Sequence, residues 1–386
     1  MGVRNGTVVV DITNPTAPVQ VGHIAGLSSI WREVAVLGQY AYVVTEATGG
    51  GVQLIDLRQA DVGSVSLAAT FTFSTSNRVH TVQASEATKT VYLNGTSGYA
   101  GGGVTALDCT NPTAPVILGS WTGTYIHDLT IWIPPTGPYA GREILFACVG
   151  SQGLRILDAG NKANIVQIGT RKYLDNGTYC HSGVVSPDGK YFYANDEFDE
   201  NTGVFGSATT HIFDIQDLTN PLYLGRYESG VGVIDHNSMV QNGHIQLAAY
   251  KGGLRVYNIR RTTPVETGFF DTHPEGEGFD YEGAWGVFAG YPSGNVVISD
   301  INRGLFVLDP SEAEGFGAPI LSVAGDTGQV IAKRVRKRDG VVHAFPAAKR
   351  TVVDLVLETG VPTAASLKVL TTARSRSRSG HSLNVF

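Results

Sequence analysis

Methionine and cysteine are scarce, with 2 and 3 residues in a chain of 386. Cys109, Cys148 and Cys180 cannot all pair within one chain, and none stands in a Cys-x-x-Cys spacing. This argues against a disulfide scaffold and against a structural zinc site. Charge is thin as well: Asp, Glu, Lys and Arg make up 16%, and 34 acidic against 28 basic residues leave a net charge of -6. No apolar run approaches the roughly 18 residues of a membrane-spanning helix. The opening residues, Met1 to Gly6, lack the apolar stretch of a signal peptide. The chain is therefore either cytosolic or begins inside a longer precursor, and its repeats favour the second.

Glycine is plentiful (48 residues), as are tyrosine (16) and phenylalanine (15), a balance that favours strands and tight turns. The segment Asp11-Ile-Thr-Asn-Pro-Thr-Ala-Pro-Val19 returns as Asp108-Cys-Thr-Asn-Pro-Thr-Ala-Pro-Val116. A β-rich run ending in Asp or Asn recurs at Asp11, Asp56, Asp108, Asp158, Asp214, Asn258 and Asp309, with successive spacings of 45, 52, 50, 56, 44 and 51 residues. Each full unit reads as four strands; in the second these are Val79–Gln83, Thr90–Leu93, Val104–Leu107 and Pro115–Leu118. Four short strands per period of this length predict the blades of an all-β propeller, whose ring covers faces and edges that a lone blade would expose. Six complete units span about residues 29 to 325, and residues 1–28 read as a partial first blade without its two inner strands. Either the complete form is seven-bladed, which is the favoured reading, or six blades close and this segment pads the seam. From residue 327 to 386 the composition turns basic, with 11 Lys and Arg against 3 Asp and Glu, and predicts a disordered Ser/Arg-containing tail. An acidic polymer is the partner such a tail would suit.

The first strand of each blade lines the channel, so equivalent positions converge there. One column holds Arg32, His80, His127, His181, His236 and Trp285, at spacings of 48, 47, 54, 55 and 49 residues. Beside it stand Glu33, Asp128, Asp235, Asn237 and Glu282. Neutral imidazoles ringed about a channel mouth suit a divalent metal, and a bound metal can activate water for hydrolysis. The bland alternative is a repeated structural job, in which each imidazole bonds a neighbouring blade. A second candidate is the loop Asn195-Asp-Glu-Phe-Asp-Glu-Asn201, whose Asp196, Glu197, Asp199 and Glu200 suit calcium. Asn-Gly-Thr sequons at Asn5, Asn94 and Asn176 read first as turns and secondly as glycan acceptors. No phosphate loop and no Gly-x-Ser-x-Gly elbow is present.

The runs Ser29-Ile-Trp-Arg-Glu-Val34, His127-Asp128, Asp196-Glu-Phe-Asp-Glu200 and Ile234-Asp-His-Asn237 resemble the choice-of-anchor B family. So do Gly253-Leu-Arg255, Gly283-Ala-Trp285 and Gly304-Leu-Phe-Val-Leu308, and the likeness spans roughly residues 5 to 310. Its members carry repeats named for Leu-Val-Ile-Val-Asp. The resemblance implies an exported propeller, displayed at the cell surface or released, with no established enzymatic activity. Members begin with a signal peptide and a complete first blade; neither stands here, which again points to a chain that starts inside its precursor. The expectation is an extracellular, monomeric recognition or scaffold module for a protein or glycan ligand. The rival is a metal-dependent hydrolase at the channel mouth. Nucleic acid is not an expected partner.

Overall fold

The repeated Asp ends a strand because its carboxylate folds the chain back. Asp11 Oδ1 accepts from the Thr13 amide at 2.8 Å, Asp108 Oδ1 from Thr110 at 2.8 Å and Asp214 Oδ1 from Gln216 at 3.0 Å. Asn14 and Asn111 repeat the device three residues on, accepting from Thr16 and Thr113. Short side-chain acceptors of this kind mimic a backbone turn, which is why the motif separates strands rather than joining them.

The computed structural model describes residues 1–315 in full. Beyond them it describes only the backbone of six short strands, from Leu321–Ala324 to Ser382–Leu383, paired two by two. The rest of the predicted basic tail lies outside the described residues. The chain is an all-β, seven-bladed propeller of antiparallel sheets. The first blade is Gly2–Val3, Gly6–Asp11 and Val19–Ala25, so the two outer strands read from sequence gain a two-residue stub. Five four-stranded blades follow. Their innermost strands are Arg32–Leu37, Thr81–Ser85, Asp128–Trp132, Cys180–Val185 and Asn237–Gln241, and Ala284–Phe288 opens the seventh. Each innermost strand packs against the next.

The seventh blade departs from expectation. Among the described residues it has three strands, not four, because after Leu308 the chain leaves the sheet for a helical turn, Ser311–Glu314. Glu314 there accepts from Asn242 and Gln246 of the sixth blade, each at 2.7 Å.

Strand alternation explains how blades adhere. In the second blade Tyr42 and Val44 pack toward Val79, Val91 and Leu93 of the third, while Ala41 and Val43 face Ile24 of the first. Six such clusters join consecutive blades from first to seventh. Second strands are buried on both faces and so carry continuous apolar runs, as in Ile144–Cys148. Outermost strands carry a bulge, with the ladder slipping between Ala106 and Leu107 in the third blade. Gly119 sits there because a Cβ would lie 2.3 Å from the Lys162 carbonyl of the next blade's loop. Blade spacing is thereby set by a missing side chain. The three cysteines are buried and free. Asn94 is not a surface turn: it ends a strand, is fully buried and donates to Thr81 at 3.1 Å. Among the described residues no helix is long and apolar enough to cross a membrane.

Candidate metal centre

The imidazoles at the entry to successive innermost strands form an unbroken row. Ring centroids are 4.2 Å apart for His80 and His127, 4.1 Å for His127 and His181, and 4.1 Å for His181 and His236. Trp285 extends the row, 4.9 Å from His236. The orientation of each ring follows from what its Nδ1 meets. His127 Nδ1 faces the His181 carbonyl at 3.3 Å, and His236 Nδ1 faces the Trp285 carbonyl at 2.5 Å. A carbonyl only accepts, so both Nδ1 atoms carry the proton and both Nε2 atoms hold a lone pair. His80 is held differently, its Nδ1 2.7 Å from Glu46 Oε1 and its Nε2 2.7 Å from His127 Nε2. Since His127 Nε2 holds a lone pair, His80 Nε2 carries the bonding proton. His181 Nδ1 has no hydrogen-bond partner of good geometry.

The structural job is thus filled by His127 and His236, whose Nδ1 atoms bond a carbonyl of the next blade, while His127 Nε2 meets His80. His127, His181 and His236 are buried, and burial lowers the tendency of each to protonate, with the neighbouring imidazoles adding to the effect. Neutral imidazole is the metal-binding form.

Glu197 completes the group. It follows the second strand of the fifth blade, Tyr191–Asp196, and its carboxylate lies 3.9 Å from His181 Nε2 and 3.7 Å from His236 Nε2. Those separations are too long for hydrogen bonds. They are close to the edge, about 3.4 Å, of a tetrahedron with metal bonds of about 2.1 Å. Ligand atoms of His127, His181 and Glu197 all lie within 4.8 Å of one another. Tyr250 donates to Glu197 Oε1 at 2.6 Å. Tyr125, Tyr179 and Tyr250 flank the rings of His127 and His236; outside them half-exposed Phe198 stacks on Tyr179 and Tyr281 meets Tyr250 edge-on. A cavity of about 450 Å³ opens beside His80, lined by Glu46, Arg78, Tyr125 and the glycine-rich loop 95–102.

The other column residues do different work. Arg32 is held by the Val3 and Leu27 carbonyls of the first-blade segment, at 3.2 and 2.5 Å. Glu33 and Asp128 sit one residue further along the inner strands. Burial, then the charge of Asp128, pushes the Glu33 carboxyl up to about 8, and burial pushes Asp128 up to about 6. Asn237 bonds the Trp285 carbonyl. Glu282 pairs instead with Lys251 and His273. Asp235 does not line the channel: it is fully buried and accepts from Asn195 at 2.6 Å.

The acidic loop, read as one calcium site, is divided by the fold. Asp196 is occupied by the amides of Tyr179, Phe198 and Asp199 and by the Tyr173 hydroxyl. Glu197 joins the imidazoles. Asp199 and Glu200 approach Asp235, and Asp199 also lies within 4.8 Å of Asp196 and His211. The sequence reading missed Glu46, Tyr125, Tyr179 and Tyr250. Tyr125-Ile-His127 and Tyr179-Cys-His181 share one spacing, so a column search two residues wider would have found both tyrosines. Glu46 and Glu197 each follow a second strand, so aligning those strand ends would have added Glu46.

This architecture defines an all-β propeller with a histidine-lined mouth. A model of the LVIVD repeat matches residues 2–25 and 31–50, so the chain carries LVIVD repeats. Among curated proteins none has a matching sequence. Of solved structures, the periplasmic gluconolactonase of Pseudomonas aeruginosa is similar at 11% identity and a TM-score of 0.58, covering 81% of this chain and 90% of that one. A Bacteroides fragilis protein assigned as a 6-phosphogluconolactonase is similar at 13% identity and a TM-score of 0.52, covering 76% and 90%. At such identities the likeness shows the fold alone.

Proposed function

We propose that this propeller is a metal-containing recognition module, exported and acting outside the cell. His127, His181 and Glu197, with His236 beside the same carboxylate, hold one divalent transition metal of zinc type, and the cavity on the far side of His80 receives a small ligand. The observation that carries the reading is the approach of Glu197 to the Nε2 atoms of two buried imidazoles, at 3.7 Å for His236 and 3.9 Å for His181, beyond hydrogen-bond range. Three imidazoles and one carboxylate form a nitrogen-rich set of borderline softness, which suits zinc over calcium or magnesium. The resemblance to the choice-of-anchor B family supports export.

Calorimetric titration of chelator-treated protein with Zn²⁺ tests this. One equivalent binds to the wild type, His181→Ala and Glu197→Gln lose it, and Arg32→Ala keeps it. No uptake by the wild type ends the reading.

A hydrolytic use is the second reading, and one observation favours it. His80 is paired to Glu46 at 2.7 Å beside the cavity, as a proton-transferring imidazole oriented by a carboxylate would be. Lactones, named for the two solved propellers, are the first substrates to assay. Turnover by the zinc-loaded wild type that His80→Ala loses, with zinc retained, selects this reading over pure recognition.

A further inference from the structure

Asp199 and Glu200 belong to the loop between the second and third strands of the fifth blade, Tyr191–Asp196 and Thr209–Asp214. Asp235 lies in the segment that enters the sixth blade at Asn237. The three are 0%, 1% and 0% exposed. Each is anchored by one oxygen. Asp199 Oδ2 accepts from His211 Nε2 at 2.9 Å, Glu200 Oε1 from the Thr209 amide at 2.8 Å, and Asp235 Oδ2 from Asn195 Nδ2 at 2.6 Å. The second oxygen of each, Asp199 Oδ1, Glu200 Oε2 and Asp235 Oδ1, is buried with no hydrogen-bond partner. Ligand oxygens of the three residues lie within 4.8 Å of one another.

Three anchored carboxylates this close together, each with one buried oxygen left without a partner, are strongly unfavourable as an empty ionised cluster. An unpaired buried charge costs far more than a buried hydrogen bond returns. Accordingly burial, reinforced by mutual repulsion, raises the proton affinity of Glu200 and Asp235 far above the ordinary carboxylate range. No lysine or arginine is paired with any of the three among the described residues. The same geometry becomes favourable if a cation sits between the oxygens.

We propose that Asp199, Glu200 and Asp235 bind one Ca²⁺, which staples the fifth blade to the sixth. An all-oxygen, all-carboxylate set selects a hard cation over zinc. Full burial selects Ca²⁺ over Mg²⁺, because Mg²⁺ keeps several of its waters and this site leaves little room for them. The ligand set differs from the linear run 196–200, since the fold substitutes Asp235 of the next blade for Asp196 and Glu197. The site is separate from the imidazole row, and its presence does not depend on zinc binding there.

The experiment is thermal melting of the full chain after chelator treatment, with and without added Ca²⁺, beside calorimetric Ca²⁺ titration. At about 100 times the dissociation constant the wild-type midpoint rises by roughly 4–8 °C. Asp235→Asn and Glu200→Gln lose that rise, and both stay folded without Ca²⁺ because the neutral amides relieve the repulsion. Glu197→Gln keeps the rise, which separates this site from the zinc site: failure of one leaves the other standing. Identical wild-type midpoints with Ca²⁺ and chelator, and no calorimetric binding, overturn the proposal and leave a proton-sharing carboxyl cluster. A rise that persists in Asp235→Asn overturns it equally.

Discussion

Tyr250 of the sixth blade donates its phenolic proton to Glu197 of the fifth at 2.6 Å, and the ring of Tyr250 lies 4.7 Å from that of His236. One side chain thereby fixes the carboxylate and flanks an imidazole of the same group. Burial keeps the phenol protonated, so it remains a donor at neutral pH.

Tyr250→Phe removes that donor without changing the ring that packs on His236. Zinc affinity is expected to fall by about 10–100-fold while stoichiometry stays at one, the usual consequence of losing an outer partner of a metal ligand. Calorimetry of wild type and variant at one pH reads it. An unchanged dissociation constant would mean that Glu197 is placed by its own loop alone.

Glu33 makes stability depend on pH in a definite direction. Its carboxyl is held up to about 8 in the folded chain, against 4.5 ordinarily. Between those values the folded state keeps a proton that the unfolded state has released, so rising pH favours unfolding. This contribution to stability is intact below about pH 4.5, declines up to about pH 8 and is lost above it. Glu33→Gln removes the slope, and at pH 8.5 the variant should melt above the wild type. Equal midpoints at that pH would show that the channel hydrates this carboxylate.

Gly119→Ala tests the blade contact. The added methyl would stand 2.3 Å from the Lys162 carbonyl and 2.9 Å from the Ala163 Cα, both backbone atoms that cannot swing aside. A loss of about 1–3 kcal/mol by denaturant unfolding is expected, as for other overpacked sites. Gly206→Ala, where a Cβ meets nothing within 4 Å, is the control and should change little.

Much of the site was legible because propeller repeats convert sequence period into spatial position. Four histidines at near-constant spacing had to stand in neighbouring blades, and they do, with centroids just over 4 Å apart. The ring direction was not legible, since it depends on carbonyls contributed by the next blade. The loop 196–200 shows the opposite case. Its carboxylates are adjacent in sequence, yet Asp196 is consumed by backbone amides and Glu197 points to the channel. Asp199 and Glu200 face a residue some 35 positions away.

By itself the sequence determined the blades. Strand alternation, the Asp turns and the glycine bulges are local matters of backbone geometry and of which side chains water rejects. Tertiary structure alone decided which polar atoms meet. Hydrogen-bond direction and the fate of a buried charge depend on partners from other blades, and no residue carries that information in its neighbours along the chain.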